Sequence, residues 1–304
     1  MTTTPTETVQ LRPLGVGDII DGVLRMYRQR PWLFLTLAAI PNLISVLIAE
    51  GARLLWPNEF VDFDQLAFVN DPQLFLQQFR DLSAGRPGDT IVFFISLIPQ
   101  SFSIAALTFA AANTYLGRRV SVGSALRVGV EDLLRVLFTF VVIVIVGAIV
   151  YIAAIVVSTL PAAFTRIGIL SFLIVIAAVV VPIWLIASLV LAPTIAAMED
   201  SNPFSAMRRA MRLIAGSRWR VIGLLVLLFI VQIVLSTLLA SVFLAAFAAQ
   251  STAGQIAAVL VSAAATILWE PLPWATLALF YFDMRIRKEA YDLQIAAEGL
   301  PSTS

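Results

Sequence analysis

Six continuously apolar stretches run along the chain, at Trp32–Ala49, Thr90–Tyr115, Val136–Leu160, Ile167–Met198, Val221–Ala249 and Ile256–Phe282. A hydrocarbon slab roughly 30 Å thick takes about 20 apolar residues of helix to cross, so each stretch predicts a transmembrane helix. The apolar residues show no period of two, which excludes a transmembrane β-barrel. The fourth stretch exceeds a span and predicts a tilt or an interfacial turn at its end. The fold class expected is an all-α membrane protein with six transmembrane helices.

The polar segments between spans carry a second pattern. With Asp18, Ser124 and Ser205 aligned as helix N-caps, three segments share one register. Ile20, Leu126 and Met207 coincide, then Leu24, Val130 and Met211, then Tyr27, Leu133 and Ile214. This i, i+4, i+7 spacing is one apolar stripe of a helix. The other face holds Asp21, Arg127 and Arg208, then Arg25, Glu131 and Arg212. Trp32, Phe138 and Trp219 follow at equal distance, each at the start of an odd-numbered span. The chain therefore predicts three repeats, each an interfacial amphipathic helix followed by a transmembrane hairpin, with the aromatic in the interfacial belt.

Charge fixes the expected orientation. Sixteen of the twenty Lys and Arg residues lie in Arg12–Arg30, Arg118–Arg135, Arg208–Arg220 and Arg285–Lys288, all on one side of a six-span chain. By the positive-inside rule that side is cytoplasmic, with both termini inside. One lysine against nineteen arginines fits a GC-rich bacterial genome, and the expected location is a bacterial inner membrane. The opposite side carries the loop 50–89, where seven acids face three arginines. Within it, Asp71-Pro72 reads as an N-cap and first-turn proline, with Leu74, Phe75 and Phe79 at helical spacing. The expected organisation is a cytoplasmic N-terminal segment with an amphipathic helix (1–31), a transmembrane domain (32–282) and a cytoplasmic tail (283–304). The opening MTTTPTETVQLRPLG has no apolar core, so no cleavable signal peptide is expected.

Polar residues inside the spans are the candidate chemistry. Glu270 falls within the last span, in Trp269-Glu270-Pro271-Leu272-Pro273-Trp274. A carboxylate there must face the bundle, pair or be protonated, and the two prolines free backbone carbonyls that need partners. Broken helices carrying an acid at mid-depth occur at transporter sites. Asn42, Gln100 and Gln232 lie in other spans, the first two directly after Pro41 and Pro99. Together with Glu270 they form a candidate intramembrane polar cavity, with interhelical hydrogen bonding as the plainer role. On the cytoplasmic side, Arg208, Arg209, Arg212 and Arg218 are candidate contacts to anionic lipid.

Composition narrows the activity. The chain has no histidine and no cysteine, so a Ser-His-Asp triad is impossible and no zinc or iron–sulfur site is expected. Lys288, the one lysine, lies at the inner edge, away from any serine pocket. No cofactor is expected: Gly15-Val16-Gly17 lacks the strand and third glycine of a nucleotide loop. The arginines are discontinuous and face the membrane, so nucleic acid is not an expected partner.

The stretches LRPLGVGDIIDGVLRMYRQRPWLFL and YFDMRIRKEAYDLQ resemble the two ends of bacterial, largely actinobacterial, proteins of the glycerophosphoryl diester phosphodiesterase membrane-domain family. In longer relatives that membrane domain precedes a soluble phosphodiesterase with a catalytic histidine and metal-binding carboxylates. Neither occurs here, so the resemblance implies a related membrane part and no hydrolase activity. The expected function is a non-enzymatic inner-membrane protein accessory to an envelope or lipid process, with anionic lipid as partner and a membrane-protein partner or homo-oligomer left open. The alternatives are a small transporter or channel around Glu270, and, with least support, an intramembrane enzyme lacking an identifiable second catalytic group.

Overall fold

The computed structural model describes residues 13–59, 86–164, 168–199, 201–247 and 252–291. Every regular element among them is helical: α1 (Val16–Gln29), α2 (Pro31–Leu55), a 3-10 turn at Pro57–Glu59, α3 (Pro87–Tyr115), α4 (Val122–Glu131), α5 (Leu133–Phe164), α6 (Gly168–Leu189), α7 (Ala192–Met198), α8 (Pro203–Ile214), α9 (Arg218–Phe247), α10 (Thr252–Trp269) and α11 (Pro271–Glu289). Six helical stretches are long and apolar enough to cross a membrane, as the apolar runs predict. Isoleucine, leucine, valine and phenylalanine are exposed on their outward faces, for example Leu47, Ile149, Val180, Phe229 and Leu260. Only a lipid surround accommodates a surface of that kind, and the chain is a multi-pass membrane protein.

The predicted register of the three units holds, displaced by three residues. Gly15, Ser121 and Asn202 occupy the N-caps, and Asp18, Ser124 and Ser205 are the third residue of each first turn. The Asp18 carboxylate accepts the Gly15 N–H at 2.9 Å. Ser121 and Asn202 accept the N–H groups of Ser124 and Ser205 at 3.1 and 2.9 Å. An N-cap and its third residue bond reciprocally, so either can be mistaken for the cap in a sequence.

The face packed on the protein lies one residue away from the predicted apolar stripe, which an interfacial helix turns to the membrane. Ile19, Ala125 and Ala206 are fully buried at equivalent positions, followed by Val23, Gly129 and Ala210. Of the predicted stripe, Leu24, Val130 and Met211 are exposed, as an interfacial helix requires, while Ile214 is fully buried. These helices pack a partly small-residue face on the bundle and leave Leu24, Val130 and Met211 outward. Trp32, Phe138 and Trp219 are 79%, 58% and 85% exposed, which puts all three aromatics on the outer surface, as the belt requires.

The most extensive helix contacts are α2 with α3, α5 with α6, and α9 with α10, the three expected hairpins. Helix α3 is the hub, touching α2, α4, α5, α7 and α11. Ala105, Ala106, Ala110 and Ala111 on α3 are fully buried, and such small residues let the backbones approach without a cavity. The ring closes where α10 packs on α2. The overlong fourth stretch bends at Val190-Leu191 into the short buried helix α7. At the other end, α11 continues to Glu289, so the expected boundary at 283 falls within a helix. The Asp71-Pro72 segment lies outside the described residues.

Candidate functional site

Three helices each place a proline and a polar side chain at one point midway along the bundle. Pro41 and Asn42 come from α2, Pro99 and Gln100 from α3, and Glu270 with Pro271 from the junction of α10 and α11. The junction stays in helical conformation at Glu270, whose N–H donates to the Thr266 carbonyl at 2.8 Å. Pro271 and Pro273 cannot donate to the carbonyls four residues earlier, so regular helix breaks there. The Glu270 carboxylate, 5% exposed, accepts from Asn42 Nδ2 and, at 3.2 Å, from Gln100 Nε2. Asn42 Nδ2 also donates to the Ala38 carbonyl at 2.8 Å. Ser103, buried one turn from Gln100, lies beside the carboxylate without a well-directed hydrogen bond.

The structure thus unites Glu270, Asn42 and Gln100 and leaves Gln232 aside. Gln232 is on α9, whose main contacts among the described residues are with α10 and α6. Glu270 does not turn back to the carbonyls released by its prolines; it joins α11 to α2 and α3 through two amides. Chemically the cluster is a buried carboxylate with two neutral donors, able to hold three helices in register or to exchange a proton or cation if opened.

Of the four candidate lipid contacts, Arg208 and Arg212 are exposed. Arg209 is committed within the protein: its guanidinium bonds Glu199 at 2.8 Å and Glu289 at 2.6 Å. The hydrogen bond to Glu289, with the pairing to Glu199, holds the Arg209 guanidinium above the ordinary arginine range. Arg218 donates to Ser188 Oγ at 3.2 Å and stacks over Trp184 with 4.2 Å to the ring centroid. A linear reading sees four equivalent arginines, whereas partners from other helices, acids for Arg209 and a serine and a tryptophan for Arg218, decide which remain available.

The arginine-rich end contains two ionic clusters that single-segment reasoning missed. Asp283, fully buried, pairs with Arg220 at 2.8 Å and Arg287 at 2.9 Å and accepts the Leu14 N–H at 2.8 Å. Arg220 and Arg287 both donate to the Leu14 carbonyl. The second cluster joins Glu199, Arg209, Tyr281, Arg285 and Glu289, with the Tyr281 hydroxyl donating to Glu199 at 2.7 Å. The available signal was the unusual density of charge in Asp283-Met284-Arg285-Ile286-Arg287-Lys288-Glu289 after an apolar span.

Beside the second cluster opens a cleft of about 370 Å³ between α3, α4, α5, α7 and α11. Arg118, Arg135 and Arg285 line it together with Asp132, Asn113, Tyr281 and Tyr291, over a wall that includes Phe109, Met198 and Phe282. Arg135 is fixed by Asp132 at 3.0 Å, and Arg285 by Glu289 at 3.1 Å and by stacking on Tyr291 at 3.8 Å. Among the described residues no group of three or more His, Cys, Asp or Glu side chains is placed to hold a metal.

Comparison with curated proteins and with solved structures found no match in either. Residues 60–284, covering all the spans after the first, match the family described as "Domain of unknown function (DUF7847)", and the chain belongs to that family.

Proposed function

We propose that this is a non-enzymatic protein of a bacterial inner membrane, with the arginine-rich end and both termini in the cytoplasm, that serves an envelope or lipid process by gathering anionic lipid around its cytoplasmic rim. One observation carries the reading: three equivalent helices each present exposed charged residues and, at the next span, an exposed aromatic. Among these helices the surplus of exposed arginine is on α8, at Arg208 and Arg212, and such a surplus suits anionic headgroups, each arginine near the surface adding about 1 kcal/mol. The resemblance to glycerophosphoryl diester phosphodiesterase membrane domains points the same way. The test is the lipid retained by the full chain purified in mild detergent. Replacing Arg208 and Arg212 together by Gln lowers retained phosphatidylglycerol relative to phosphatidylethanolamine; an unchanged ratio refutes the reading.

A small transporter is the second reading, favoured by the meeting of Glu270, Asn42 and Gln100 beside three prolines. Kinked helices around a buried acid are the parts from which midplane binding sites are made. Proteoliposome flux that vanishes in Glu270→Gln at unchanged stability would establish it over the first.

A further inference from the structure

We infer that the cleft between α3, α4, α5, α7 and α11 binds the phosphate of one anionic amphiphile, with the phosphate on Arg118, Arg135 and Arg285 and the first part of the apolar chain on Phe109, Met198 and Phe282. The inference rests on the reading of this end as the lipid-gathering rim and assigns it a discrete site.

The cleft's lining has two chemistries. Three arginines against one aspartate leave it cationic, and the opposite wall is aromatic and aliphatic. A purely ionic ligand would leave that wall wet, and a purely apolar one would leave Arg118, which has no ion pair among the described residues, without a counter-ion. Two of the three arginines are already oriented, Arg135 by Asp132 and Arg285 by Glu289 and Tyr291. Ordered guanidinium groups lose little freedom on meeting a phosphate, which they contact in bidentate fashion. Arg118 completes the rim as an exposed side chain.

Depth and size agree. Arg135 stands one helical turn before Phe138, an exposed belt aromatic, so the rim lies at headgroup level. A volume of about 370 Å³ is at the small end of ligand pockets, suited to a phosphoglycerol group and a few methylenes, not to a whole lipid. The acyl chains would remain in the bilayer.

The experiment is native mass spectrometry of the delipidated full chain titrated with phosphatidylglycerol, against phosphatidylcholine and against glycerol 3-phosphate. The expected result is one saturable phosphatidylglycerol per chain, weakened about tenfold in Arg118→Gln, largely kept in Arg118→Lys, and lost in Val128→Phe, which fills the cleft. Arg118 is exposed, so its variants report binding at unchanged folding. Arg208→Gln with Arg212→Gln leaves this single site intact while lowering the remaining lipid. The inverse pattern, loss in the rim variant and none in Arg118→Gln or Val128→Phe, overturns the cleft and spares the rim reading. No dependence on either set overturns both. Glycerol 3-phosphate binding with the same variant profile, and no phosphatidylglycerol binding, overturns the amphiphile in favour of a soluble phosphate ester.

Discussion

Replacing Asp283 tests whether buried ions hold the two ends of the chain together. The carboxylate has no exposed surface and meets Arg220, Arg287 and the Leu14 N–H. Breaking a buried pair by removing one partner typically costs about 3–5 kcal/mol. Here the arginine side chains are 26% and 39% exposed, so water recovers part of that, and Asp283→Asn should cost about 2–3 kcal/mol. Asparagine still offers an oxygen to Leu14; Asp283→Leu does not, and adds about 1–3 kcal/mol for the stranded N–H. Arg220→Met leaves Asp283 with Arg287 but removes one donor from the Leu14 carbonyl, for about 1–2 kcal/mol. Arg287→Met, at the most exposed partner, should lose less than about 1 kcal/mol. Thermal unfolding in detergent, followed by tryptophan fluorescence, reads these as shifts of roughly 2–4 °C per kcal/mol. The predicted order of loss is Leu, Asn, Arg220→Met, Arg287→Met. An Asn variant melting with the parent, or Arg287→Met falling further than Asp283→Asn, would show that packing and not the ionic cluster fastens this end.

Three further perturbations address the helix pattern, the central cluster and the topology. Gly129→Ala should destabilise by about 1–3 kcal/mol, because a Cβ there would lie 2.9 Å from the Phe102 ring and 3.2 Å from the Ala106 Cβ, while Gly123→Ala, with nothing within 4 Å, should be neutral or slightly stabilising in the same melt; equal effects would argue against the α3–α4 contact. Glu270→Gln should melt within about 1 kcal/mol of the parent, since the amides can reorient around it, whereas Glu270→Leu strands two donors at about 1–3 kcal/mol each; a tolerated Leu would remove the cluster's role in registering the helices. With no native cysteine to compete, Asn58→Cys should react with an impermeant maleimide in intact cells and Ser124→Cys should not, and the reverse labelling would invert the orientation.

Much of the architecture was legible because membrane helices are specified by a local property, the length of an apolar run. The threefold register was legible for the same reason: spacing within a single segment places residues on one helix face. Spacing alone does not say which residues meet the protein. Leu24, Val130 and Met211 of the predicted stripe are exposed, as an interfacial helix requires, while Ala125, Gly129, Ala206 and Ala210, one residue before the stripe in register, take the protein contact. Water sorts residues by hydrophobicity; lipid does not, and helix association then favours close fit. The central cluster was half legible. A polar residue in a span must find company, but that Gln232 would not join Asn42 and Gln100 depends on which helices neighbour, and no single segment states that.

The same physics explains why the arginine-rich end is built from ions. Between helices in lipid, burial of apolar surface offers little net drive, so order at the rim must come from directed contacts. The segment Asp283–Glu289 supplies them in alternation along one helix: Asp283 and Arg287 hold Leu14 and Arg220, while Arg285 and Glu289 hold Tyr281 and Arg209. One helical end therefore ties the N-terminal segment, the third unit and the wall of the cleft to a common frame. The N-terminal segment and the end of the last helix meet in that frame, at Leu14 and Asp283. Their sequence peculiarity follows: Leu14 is engaged through its backbone N–H and carbonyl, so the partner, not the leucine side chain, must be charged. Leu14 is itself buried, so an apolar exchange that keeps its volume, Leu14→Met, should be far milder than a change at Asp283, and a proline there, which removes the N–H while keeping the carbonyl, should reproduce part of the Asp283→Leu loss, about 1–3 kcal/mol. A Leu14→Pro chain melting with the parent, beside a destabilised Asp283→Leu, would show that Asp283 matters for its arginines alone and that the N-terminus merely rests against them.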